Sequence, residues 1–91
     1  MKLHYRTLLA EVRIDENGIF ASGYSKKHFH WEQTVGVIGY RKKKILGVYY
    51  SIGFAVQGEN SEILHFSPIA TRDTWQYKYF LESIVRYLIS N

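Results

Sequence analysis

The chain predicts a mainly β protein, a small strand-rich sheet or partial barrel closed by one C-terminal α-helix. Three observations predict it. Alternating apolar and polar residues, cut by turn residues, fill the chain from Tyr5 to Phe66. From Asp73 to Ile89 the apolar period changes to that of a helix. Within the first of these segments lies a strand with two glycines, Gly36 and Gly39, which suggests the bulging or coiling that small barrels need at their corners.

The elements follow in order. Tyr5–Ile14 alternates and predicts one half-buried strand. Asp15-Glu16-Asn17-Gly18 is a turn, because Asn-Gly tolerates the positive φ of a tight hairpin. Ile19–Gly23 is the return strand. Lys26–Trp31 is a further short strand, with Phe29 and Trp31 on one face and His28 and His30 on the other. A bend at Glu32-Gln33-Thr34 leads into the strand Val35–Arg41. The charge run Arg41-Lys42-Lys43-Lys44 is followed by Ile45-Leu46-Gly47, a turn tip. Val48–Gln57 is the clearest strand, with Val48, Tyr50, Ile52, Phe54 and Val56 on one face. Gly58-Glu59-Asn60-Ser61 is a turn, and Glu62–Phe66 returns from it.

Two helix starts present themselves. Ser67-Pro68 pairs an N-cap residue with proline at the first helical position. Asp73, with Gln76 three residues on, resembles a capping box and is the better start for the main helix. Within that helix Tyr77, Leu81, Ile84 and Leu88 form the buried stripe, widened by Phe80 and Val85. Lys78, Glu82 and Arg86 stand at i, i+4, i+8 on the other side, spaced to pair with one another.

Composition narrows the class. The 91 residues are 46% hydrophobic and 22% charged, ordinary values for one globular domain. Eight Tyr, five Phe and two Trp add large buried area to a core that a short chain keeps thin. With no cysteine, disulfides and thiolate metal sites are excluded. No apolar run is long enough to span a bilayer, and Met1–Arg6 lacks the apolar stretch of a signal peptide. A cytoplasmic protein is expected. The net charge of +4 favours anionic partners, nucleic acid or anionic lipid.

Two segments carry a resemblance to a known family. Ile14-Asp15-Glu16-Asn17-Gly18-Ile19 resembles the first strand-turn-strand of bacterial pleckstrin-homology-like (PH-like) domains. Phe29-His30-Trp31-Glu32-Gln33-Thr34-Val35-Gly36-Val37 resembles their next segment, in which a Trp-acidic pair precedes an aliphatic strand. As a loose pattern the resemblance covers Glu11 to Leu88. It implies two packed antiparallel sheets with one end sealed by the helix, and a binding or assembly module rather than an enzyme. Relatives that bind phosphoinositides use basic residues in the first hairpin loop. Here that loop, Asp15-Glu16-Asn17-Gly18, is acidic, which argues against inositol-phosphate binding.

Four candidate sites remain. Lys26, Lys27, Arg41, Lys42, Lys43 and Lys44 could bind phosphate, with Tyr40, Tyr49 and Tyr50 as stacking surfaces for single-stranded bases. The competing reading is a solvated hairpin that protects an edge strand. His28-x-His30, with His4 or His65, could hold zinc, but no acidic or Cys ligand stands at recognisable spacing. Trp75 and Tyr79 fall on the helix flank beside Glu82 and Arg86, a mixed aromatic-charged surface of the kind that anchors protein interfaces. The competing reading makes Trp75 a lid over the sheet. A ribonuclease of the small-toxin type could use His28, His30 and Arg41, but the carboxylates form no recognisable catalytic spacing and no Gly-rich phosphate loop is present. The leading expectation is a non-enzymatic module, without cofactor or metal, that binds a protein partner or a second copy of itself. Nucleic-acid binding through the basic hairpin is the alternative, with peripheral binding to anionic lipid and a small ribonuclease behind it.

Overall fold

The structure, a computed structural model, describes residues 1–23 and 26–90. Seven strands form two antiparallel sheets. The first holds β1 (Lys2–Arg6), β2 (Glu11–Asp15), β3 (Gly18–Ser22) and β4 (Lys27–Phe29), in that spatial order. The second holds β5 (Thr34–Lys44), β6 (Gly47–Gln57) and β7 (Ile63–Thr71), again in chain order. A short 3-10 turn at Trp31–Gln33 joins the sheets, and helix α1 (Thr74–Ser90) ends the fold. The sheets do not close into a continuous barrel, which fits the expected partial barrel.

One expected strand is two. The chain reverses between Arg6 and Glu11, so Tyr5–Ile14 is a hairpin and not a single run. The Thr7 hydroxyl builds the turn by accepting from the Leu9 N–H (3.3 Å) and the Ala10 N–H (3.1 Å). The Thr7 N–H donates to the Ala10 carbonyl at 2.8 Å. No Gly, Pro, Asn or Asp marks this turn, and Leu8 and Leu9 carry the alternation straight through it although both stand in solvent. The next turn behaves as expected. Asp15 Oδ1 accepts from the Asn17 N–H at 2.8 Å, and Gly18 takes a φ of 125°.

Ser67-Pro68 does not start a helix. Both residues lie inside β7, at the sheet's edge, where the pairing with β6 slips between Ile52 and Phe54. Proline has no N–H to give a ladder, so an edge strand with an irregular register is where a sheet tolerates it. The main helix starts where expected. Asp73 Oδ1 accepts from the N–H groups of Trp75 (3.0 Å) and Gln76 (3.1 Å), which satisfies two of the open donors of the first turn. Gln76 does not complete a capping box. Its side-chain oxygen accepts instead from the Thr71 hydroxyl at 2.9 Å, and that hydroxyl oxygen accepts from the Asp73 N–H at 3.0 Å.

The core lies where both sheets and the helix meet. Leu3, Val12, Ile14 and Ile19 come from the first sheet, Ile52, Phe54, Val56 and Ile69 from the second, and Phe80 and Ile84 from the helix. Tyr77, Leu81 and Leu88 pack around them, so the expected helical stripe is the seated one. Phe80 is its centre with Ile84, where the sequence placed it at the margin. Gly39 lets the helix come close to β5, because a Cβ there would run into the Tyr77 hydroxyl and a Leu81 methyl group. Trp31 ties the sheet junction. Its indole N–H donates to the Asp15 carbonyl at 2.7 Å, and its ring lies 5.3 Å from that of Tyr87. No helix is long and apolar enough to cross a membrane among the described residues.

Candidate binding surfaces

At 100° per residue, positions 75, 79, 82 and 86 fall on one narrow stripe of a helix. In α1 that stripe lies directly opposite buried Ile84. Trp75 is 81% exposed and Tyr79 61% exposed, and Glu82 and Arg86 are exposed beside them. Trp75 is therefore not a lid over the sheet. The Lys78 Nζ sits 5.8 Å from the centre of the Trp75 ring, a cation–π distance. The expected ion pairs of Lys78 or Arg86 with Glu82 do not form: every ion pair among the described residues belongs to the first sheet. At its C-terminal end the stripe continues into exposed Ile89. Tyr79 and Arg86 also border a concavity of ≈ 290 Å³ against Met1, Lys2 and Leu3.

The basic run sits on a two-stranded arm. β7 pairs with β6 only as far as Tyr50, opposite Thr71, so from Lys42 to Tyr49 the hairpin of β5 and β6 extends without a third strand. The cations are strand residues, and the turn itself is Ile45-Leu46, with Gly47 at a φ of 136°. Side chains alternate across the arm. Lys42 and Lys44 share the outer face with Tyr40 and Tyr49, and Arg41 and Lys43 share the other with Val48 and Tyr50. Tyr40 donates to the Ser67 hydroxyl at 3.2 Å. Its own pKa is lowered, first by the Ser67 hydroxyl, which can donate to the phenolate, then by the Ser51 hydroxyl and the nearby charges of Lys42 and Lys44.

The three tyrosines expected as stacking surfaces differ. Tyr50 faces inward, its ring 4.9 Å from that of Tyr77. Tyr49 is on the outer face but occupied. The Arg72 guanidinium lies 4.7 Å from its ring centre and donates to its hydroxyl, and Lys44 Nζ lies 5.6 Å from the same ring. Arg72 thus joins the basic group. No period in the sequence links it to the hairpin; only the pairing of Thr71 with Tyr50 brings it there.

Lys26 and Lys27 do not belong to this arm. They line a concavity of ≈ 350 Å³ on the first sheet with Arg13, Phe20, Ser22 and His28. Three residues of that surface form a ladder across the strands. Phe20 stacks on His28 at 3.9 Å, and the Arg13 guanidinium stands 5.3 Å from the Phe20 ring centre.

The histidines are dispersed. His28 and His30 are ring neighbours at 4.4 Å, but His4 lies on β1 at the far edge of the first sheet and His65 on the second sheet. Among the described residues no three His, Cys, Asp or Glu side chains gather as a metal site. Glu11 is the acidic hub of the first sheet. It takes the Arg6 guanidinium at 3.0 Å and His4 Nε2 at 3.5 Å, and the hydrogen bond from Arg6 holds its carboxyl below the usual range. No family model matches the chain, and neither a curated protein nor a solved structure matches it.

Proposed function

We propose that this protein is a non-enzymatic binding module of the PH-like type, which holds a protein partner, or a second copy of itself, on the outward stripe of α1. The observation that carries the reading is the exposure of Trp75 and Tyr79 opposite the seated face of the helix. A helix that only sealed the core would need neither ring, since Phe80 and Ile84 already fill the space beneath it. Large rings with two polar neighbours are the composition of an interface anchor: burying each ring on a partner gains apolar area at little cost in side-chain entropy. Two sheets of four and three strands followed by a C-terminal helix agree with the PH-like reading, which rests otherwise on the short motifs around Asp15 and Trp31.

A photo-crosslinking residue placed at Tyr79 tests this in native cells. A discrete adduct is expected there and none at Glu59, which is exposed in the turn between β6 and β7. Equal yield at both positions, or no adduct at either, would contradict the reading.

A further inference from the structure

The turn of the basic arm is chemically odd. Two-residue hairpin loops are ordinarily Asn-Gly or a relative of it. Here the loop is Ile45-Leu46, and only Gly47 after it carries the positive φ. Ile45 is fully exposed and Leu46 is 79% exposed. Neither side chain serves the turn or the core. Around them stand five cations. Lys42 and Lys44 lie on one face of the arm, Arg41 and Lys43 on the other, and Arg72 is fastened to the base through Tyr49. No carboxylate lies within the arm from Tyr40 to Ile52.

We propose that this tip is a membrane-docking device: Ile45 and Leu46 enter the acyl boundary of an anionic bilayer while Arg41, Lys42, Lys43, Lys44 and Arg72 contact its headgroups. Each part of the tip has a counterpart in that surface. An aliphatic pair gains by leaving water for the acyl boundary, and cations gain by meeting anionic lipid headgroups. Neither term alone holds a protein firmly, and the two together are the combination that stable peripheral binding requires. Nucleic acid matches the tip less well. Its phosphates would take the cations, but it offers nothing to Ile45 and Leu46, and of the two outer-face rings Tyr49 is already covered by Arg72 and Lys44 while Tyr40 is tied to the Ser67 hydroxyl. The site is separate from the helix stripe, so the inference does not depend on the protein-binding reading.

Vesicle flotation of the whole chain tests it, with phosphatidylcholine vesicles with and without phosphatidylserine. The protein is expected to float only with phosphatidylserine, and less so as salt rises. The double variant Ile45→Ser/Leu46→Ser should keep its fold, since both side chains are in solvent, yet lose more than about tenfold in partitioning. Lys42→Gln/Lys43→Gln should lose about fivefold for each cation removed. A single cysteine, Ile45→Cys, labelled with a polarity-sensitive dye in this cysteine-free chain, should brighten and shift to the blue on phosphatidylserine vesicles. The proposal is overturned if the serine variant partitions like the wild type, or if phosphatidylserine vesicles take up no protein. It is equally overturned if a single-stranded oligonucleotide binds the wild type more tightly than the vesicles do and the serine variant keeps that affinity.

Discussion

Individual side chains in this fold divide sharply between those that the interior needs and those it does not. Ile84 is wholly buried among residues of both sheets, so Ile84→Ala should remove about 2–5 kcal/mol of stability, read from urea unfolding. Asp73 satisfies two N–H groups of the first helical turn, and Asp73→Ala should cost about 1 kcal/mol by the same measurement. Glu11 sets a pH dependence. Its folded pKa lies below the ordinary 4.5, first because Arg6 bonds to its ionised form. Folding therefore favours the carboxylate, and the stabilisation is complete above the ordinary value. It is lost as pH falls through the lowered one. Glu11→Gln should lower the urea midpoint at neutral pH and so flatten the acid limb of its plot against pH, leaving the midpoint at the acid end nearly unchanged.

Elements show how far the residues announce their structure. The helix was legible because Phe80, Leu81, Ile84 and Leu88 repeat with its period and Asp73 caps it. β6 was legible because Ile52, Phe54 and Val56 alternate onto one buried face. The first hairpin was not, since a threonine hydroxyl makes its turn and two exposed leucines imitate a strand's alternation. Pro68 misled for a related reason: proline marks a helix start and an irregular edge strand equally well, and only pairing with β6 decides between them. Arg72 was invisible as a member of the basic group because its contact with Tyr49 is made across strands. At the contact of β5 with α1, Gly39→Val should lower stability by more than about 1 kcal/mol, because the added branch meets Tyr77 and Leu81. The same change at Gly36, where a Cβ would meet only the Ala55 methyl group, should cost less.

At the scale of the whole molecule, two sheets and a helix build one core of ten buried hydrophobic side chains among the described residues, other apolar residues pack partly against it, and several more stand outward on the first hairpin turn, the second sheet, the arm tip and the helix. The helix stripe of Trp75 and Tyr79 and the arm tip of Ile45 and Leu46 face away from that core. The two places differ in chemistry. Aromatic rings beside one acid and one base suit a protein surface, and an aliphatic pair collared by cations suits anionic lipid. A module carrying both would hold a protein partner against a membrane, with the core serving only to keep the two surfaces rigidly apart.

A helix that offers Trp75 and Tyr79 to a partner has both rings surplus to folding. Urea unfolding of Trp75→Ser/Tyr79→Ser beside the wild type tests it without knowledge of any partner. The midpoint and slope should be unchanged within about 0.5 kcal/mol, as for substitutions on a free surface, while Phe80→Ala one residue along the helix loses about 3–5 kcal/mol. A loss of more than about 2 kcal/mol from the double serine variant would place both rings among the structural side chains, and the helix would have no surface left to bind with.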